Sequence, residues 1–107
     1  MKLIVAIISY QDANRVQKEL IKEKFTATRL ATTGGFLRAR NATFLLGVND
    51  DKVPDVLDII ERGSKTRVKV VPNTIISEYG SVSTLPTQVQ VGGATIFVIT
   101  VDQFLKV

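Results

Sequence analysis

Strands and helices in the order βαββαβ predict an α+β fold, and three patterns in the sequence carry that order. A continuous apolar run, Lys2–Ser9, rich in Ile and Val, reads as a strand buried on both faces. Two stretches repeat apolar residues at helical spacing: Ala13, Val16 and Leu20, then Val53, Val56, Leu57 and Ile60. Between and after them lie β-prone segments bounded by Gly, Pro and Asn. Right-handed crossovers place both helices on one face of an antiparallel sheet, the split βαβ of a ferredoxin-like core. At 107 residues the chain suits a single domain over 1–107.

Each element has a local cause. Asp12 is a good N-cap for a helix reaching about Lys24. Phe25–Thr33 reads as the second strand and Thr43–Val48 as the third. Asn49-Asp50-Asp51 opens a second helix; Pro54 fits only its first turn, and Gly63 is the expected stop. Arg67–Val71 alternates as the fourth strand. Pro72–Pro86, rich in Ser and Thr without clear periodicity, reads as a long loop of functional or mobile character. Gln88–Val91 and Ala94–Val101 then read as a C-terminal β-hairpin extension turning at Gly92-Gly93.

The first strand has a further consequence. Leu3, Val5 and Ile7 point one way and Ile4, Ala6 and Ile8 the other, yet two helices can cover only one face of the sheet. The opposite face would leave an apolar patch larger than soluble monomers tolerate. Other copies of the chain, or its C-terminal strands, must cover it, and a closed ring of subunits is expected.

Composition narrows the function. With no His and no Cys, the chain lacks the commonest general base, the Ser-His and Cys-His nucleophile pairs, and every Cys/His zinc arrangement. No motif supports a carboxylate-held metal, and catalysis is disfavoured. Residues 1–41 hold eight Lys/Arg against three acids, while 42–107 hold six against seven, so the basic charge sits in the first half. That asymmetry favours an anionic partner. The apolar run after Met1-Lys2 is too short to span a bilayer, and a cytoplasmic location is expected.

The anionic partner finds a place in Phe25–Thr43. Gly34 and Gly35 let the backbone approach a ligand with its N–H groups free. Thr28, Thr32 and Thr33 add hydroxyls, Phe36 offers a face to a planar base, and Arg38 and Arg40 add charge. These are the needs of a phosphorylated nucleobase. An ordinary hairpin loop with turn glycines would show the same glycines.

Three segments together resemble the PII-like cyclic di-AMP receptor family of Gram-positive bacteria. They are Met1–Ile7 with Gln11-Asp12; Leu30–Arg38 with Asn41, Thr43, Phe44 and Gly47-Val48; and Val89, Val91–Thr95, Phe97-Val98, Val101-Asp102 and Phe104. The resemblance weakens between about Gly63 and Gln88. It implies a homotrimer with cyclic di-AMP bound between neighbouring subunits, no cofactor and no enzymatic activity. It implies ligand-binding roles for Thr28, Gly35, Phe36, Leu37, Asn41 and Gly47, and loops that respond to the dinucleotide; an unidentified protein partner is also expected.

The chain departs from the family pattern at four positions. Lys24 and Thr26 stand where Asn and Arg are usual, Arg40 replaces a glycine, and Lys106 replaces a glutamine that reaches the ligand from the neighbouring subunit. The alternative function is a PII-like interaction regulator that binds a different nucleotide, or that has lost the dinucleotide site. RNA binding is disfavoured, because Lys2–Ser9 and Thr43–Val48 lack the paired stacking aromatics of an RNA-recognition sheet.

Overall fold

A computed structural model describes residues 1–32, 40–76 and 82–107, with side chains at 1–31, 40–70 and 88–107. Lys2–Ser9 forms β1, as its apolar run predicts. The chain passes without a linker into α1, Tyr10–Lys22, so the helix starts earlier than an Asp12 cap would allow. Ser9 holds the N-cap position, and Asp12 lies buried inside the helix. Its carboxylate serves arginines instead of backbone N–H groups.

β2 is Thr28–Thr32, shorter than expected because Phe25 and Ala27 pack on the core without joining the ladder. β3 is Asn41–Val48, two residues longer at its start. A 3-10 turn at Asp50–Lys52 leads into α2, Val53–Ser64, with Pro54 in its first turn as expected. Asp50 meets the N-terminal amine at 2.9 Å, and that bond lowers the pKa of its carboxyl.

The helix does not stop at Gly63. It continues through Ser64, whose hydroxyl donates to the Ile60 carbonyl. Gly63 is buried, and a Cβ there would sit 2.7 Å from Val16 Cγ2. The residue is glycine because the two helices cross there, not because the helix ends. Gly63→Ala should therefore lower stability by about 1–3 kcal/mol through overpacking against a stiff β-branched side chain. A urea midpoint equal to that of the unaltered chain would show that the crossing can relax.

The larger correction concerns the last three strands. Arg67–Ile76 (β4) and Val82–Val91 (β5) pair only with each other, in a separate two-stranded sheet. Most of the expected Pro72–Pro86 loop is thus strand, with Pro72 opposite Pro86. Ala94–Thr100 (β6) pairs with β1, not with β5, so the expected C-terminal hairpin does not form. The main sheet has the order β2-β3-β1-β6, antiparallel throughout. β6 takes the edge place expected for Arg67–Val71, and the β4–β5 ribbon is inserted between α2 and β6. The sheet with its two helices fits the ferredoxin-like core, and the described residues reach 67 Å in their longest dimension.

One sheet face is the core. Ile4, Ala6, Ile8, Ala42, Phe44, Leu46 and Val48 pack against Ala13, Val16 and Leu20 of α1 and Val56, Ile59 and Ile60 of α2. The other face carries Leu3, Val5 and Ile7 beside Leu45, Phe97 and Ile99, with no described element laid over it.

Candidate functional site

The readable candidates share the open face. Antiparallel pairing sets Thr28 opposite Leu45, and strand alternation puts Thr28, Asn41, Thr43, Leu45 and Gly47 on this same face. Thr28 and Gly47 are diagonal neighbours, about 7–8 Å apart by sheet geometry. Both are exposed. Asn41 lies opposite Ser9 and Thr32 at the other end, about 13 Å along the strand from the level of Thr28. It is buried. Gly35, Phe36 and Leu37 lie outside the described residues, as do Gly34 and Arg38.

Gly47 is the informative member. Its φ is not in the left-handed region, and an added Cβ would meet only Met1 Sδ, at 3.9 Å. Among the described residues nothing requires glycine there. A glycine inside a strand often marks a bulge, a tight bend or a close approach by a ligand or another backbone, and the β1–β3 register runs unbroken past Gly47, opposite Leu3, with no bulge.

A cavity of about 330 Å³ opens at this end, lined by Met1, Lys24, Phe25, Thr26, Gly47, Val48, Asn49 and Lys52. Lys24 and Thr26, two of the departures from the family pattern, therefore border Gly47. Lys24 has φ +67, left-handed backbone that favours glycine. The strain has a structural cause: Lys24 N–H donates to Ile21 O at 2.9 Å and Phe25 N–H to Leu20 O at 2.8 Å, closing the end of α1. Lys106 lies in the exposed tail after β6.

A second cluster sits on the helix side of β2. Arg29 points away from the open face and donates to Asn14 Oδ1 and Gln17 Oε1 on α1. Arg40, just before β3, stacks over the Tyr10 ring at 4.4 Å. The loop cation Arg40 was readable from sequence. Tyr10 and Arg29 were not, since only the crossing of β2 under α1 brings them to it.

Among the described residues no group of three or more His, Cys, Asp or Glu could hold a metal, and no helix is long and apolar enough to cross a membrane.

A sequence profile described as Cyclic-di-AMP receptor matches residues 1–107. This chain belongs to the cyclic-di-AMP receptor family. The family is one of receptors and not a known enzyme family, and the match runs through the Gly63–Gln88 stretch where the residue-level resemblance is weakest. Among solved structures, a functionally unknown protein from Pediococcus pentosaceus ATCC 25745 is similar, with a TM-score of 0.80 and 42% identity. The alignment covers 99% of this chain and 96% of that one. This chain and that protein thus share one fold along nearly their whole lengths.

Proposed function

We propose that the chain is a non-enzymatic, cytoplasmic receptor for cyclic di-AMP. In this reading residues 1–107 form one PII-like domain, three copies form a ring, and each ligand lies between neighbours on the open sheet face. Thr28 and Asn41 hydrogen-bond the dinucleotide, the backbone of Gly35, Phe36 and Leu37 approaches it, and Phe36 flanks a base. Gly47 leaves the room the ligand needs. Lys24 and Lys106 supply the charge that a guanidinium at position 26 would otherwise bring.

The observation that carries the reading is Gly47: a glycine that nothing among the described residues requires, on the same face as Thr28 and Asn41, in a chain that matches the receptor family throughout. An apolar face with no described cover supports the ring.

Calorimetry with cyclic di-AMP tests it. The unaltered chain should release or absorb heat with saturable stoichiometry. Thr28→Ala should weaken binding about five-fold, the loss of about 1 kcal/mol expected for one hydrogen bond. Thr26→Arg should strengthen binding by restoring a fork for phosphate or base edge. No heat at roughly 100 µM ligand, a free energy weaker than about 5–6 kcal/mol, combined with no recovery in Thr26→Arg, would overturn the receptor reading.

A further inference from the structure

Five arginines have described side chains, and three of them meet an aspartate. Arg15 and Arg67 bind Asp12, and Arg62 binds Asp58. Arg29 and Arg40 do not. Among the described residues neither has a carboxylate within ion-pair distance, and the two converge on one ring.

Their surroundings hold them without neutralising them. The Arg40 guanidinium lies 4.4 Å from the Tyr10 centroid, and the Arg40 carbonyl accepts the Tyr10 N–H at 3.0 Å. Backbone and side chain of Arg40 thus both engage the first residue of α1. The Arg29 guanidinium lies 5.7 Å from the same ring and 5.8 Å from the buried Phe44 ring. Its Nη1 donates to two amide oxygens, Asn14 Oδ1 at 2.7 Å and Gln17 Oε1 at 2.8 Å. Neutral acceptors and aromatic faces hold both guanidiniums without cancelling their charge, with Arg40 exposed and Arg29 partly exposed. Side chains ordered in advance lose little further freedom when an anion arrives.

The stripe on α1 extends this surface. Tyr10, Asn14, Gln17 and Ile21 follow one another along a single helix face, and Ile21 at its end is 64% exposed. A donor-rich, acid-free cluster beside an exposed aliphatic residue fits carboxylates flanked by an apolar anchor. It fits nucleic acid poorly, because Arg40 already covers the Tyr10 ring on which a base would stack, and two cations make no backbone-tracking groove.

We propose that the Tyr10–Arg29–Arg40 cluster, with the α1 stripe ending at Ile21, is a docking surface for an acidic segment of a protein partner. Asp or Glu side chains are forked by the two guanidiniums, and an apolar residue seats on Ile21. The proposal stands on the helix side of β2 and does not depend on which ligand the opposite face holds.

A short fluorescein-labelled peptide rich in Glu, with one Leu, is the probe, read by fluorescence anisotropy in the absence of dinucleotide. It should bind the unaltered chain, and Arg29→Gln with Arg40→Gln should weaken it by about ten-fold or more. Arg62→Gln, on α2, should leave the affinity unchanged. Lysine at both positions should restore only part of it, since an ammonium cannot fork. Equal affinity in the double glutamine variant would overturn the proposal. So would tighter binding of a single-stranded oligonucleotide of equal charge through the same two arginines, which would make the surface a nucleic-acid one. Amide-shift mapping on the unaltered chain needs no variant to fold: shifts centred on residues 10–21 and 40 support the surface, and shifts centred elsewhere refute it.

Discussion

Asp12→Ala should lower the unfolding free energy by about 2–4 kcal/mol, between the loss of a charge-assisted hydrogen bond and the breaking of a buried ion pair. Asp12 is 1% exposed, and its carboxylate takes Arg15 Nη2 at 2.8 Å and the fork of Arg67 at 2.7 and 3.2 Å. The hydrogen bond to Asp12 raises the pKa of Arg67 above its ordinary value, so Arg67 remains charged across the working range. Arg15 and Arg67 are 57% and 42% exposed, so they rehydrate when the aspartate goes; this keeps the loss below that of a fully buried pair. The effect should be felt first at the root of the β4–β5 ribbon. Arg15 also donates to Gly63 O at 2.7 Å, Arg67 Nη1 reaches Lys65 O at 3.3 Å, and Gly93 N–H donates to Ser64 O. Gly92 turns there at φ +82, where a Cβ would lie 2.7 Å from Arg67 Nη1. Hydrogen exchange should therefore show residues 65–70 and 88–93 opening in Asp12→Ala before the β1–β3 ladder does. Asp12→Asn, which keeps the shape and part of the bonding, should lose less. A change within about 0.5 kcal/mol, with ribbon exchange unaltered, would mean that the network only decorates a junction held by its backbone.

The βαββαβ order was legible because its signals are local. Lys2–Ser9 is apolar at every position between its ends, Pro54 can sit only in a first helical turn, and Val56 and Ile60 follow the helical period into the core. Which strand takes the fourth place is a different kind of question. Arg67–Val71 and Ala94–Thr100 are equally good strands, and only the pairing of Val5 with Phe97 decides between them. Pro72–Pro86 reads as a loop because it is rich in Ser and Thr and shows no clear periodicity. In a two-stranded ribbon each strand is an edge, and a proline there can lose an N–H that would point outward. Asp12 and Gly63 were misread for one reason. A cap aspartate and an arginine-binding aspartate look alike in sequence, as do a terminating glycine and one that admits Val16. The site divides the same way. Thr28, Asn41 and Gly47 share a face by simple alternation, while Tyr10, Arg29 and Arg40 come from three segments that only the tertiary fold unites.

Ile99→Lys should convert the proposed ring to single chains while leaving the protomer folded. Ile99 is 48% exposed in the protomer and stands opposite Leu3 on the open face. A lysine there can snorkel its ammonium into water, so the isolated fold should lose little. In an assembled ring the same position would be covered, and an unpaired ammonium in a buried interface is strongly unfavourable. The substitution thus separates folding from assembly, which a change at half-buried Val5, closer to the core strands, cannot do. Light scattering should give about three times the 11.8 kDa chain mass for the unaltered protein and about one times for Ile99→Lys, at micromolar concentration. Because the proposed ligand site is completed by a neighbour, the same variant should also lose cyclic di-AMP affinity by about 100-fold or more, although Ile99 is not among the residues assigned to the ligand. A mass near 11.8 kDa for the unaltered chain would remove the ring altogether. An assembled Ile99→Lys would mean that the subunits meet through another surface, and the open face would then be left for the ligand alone.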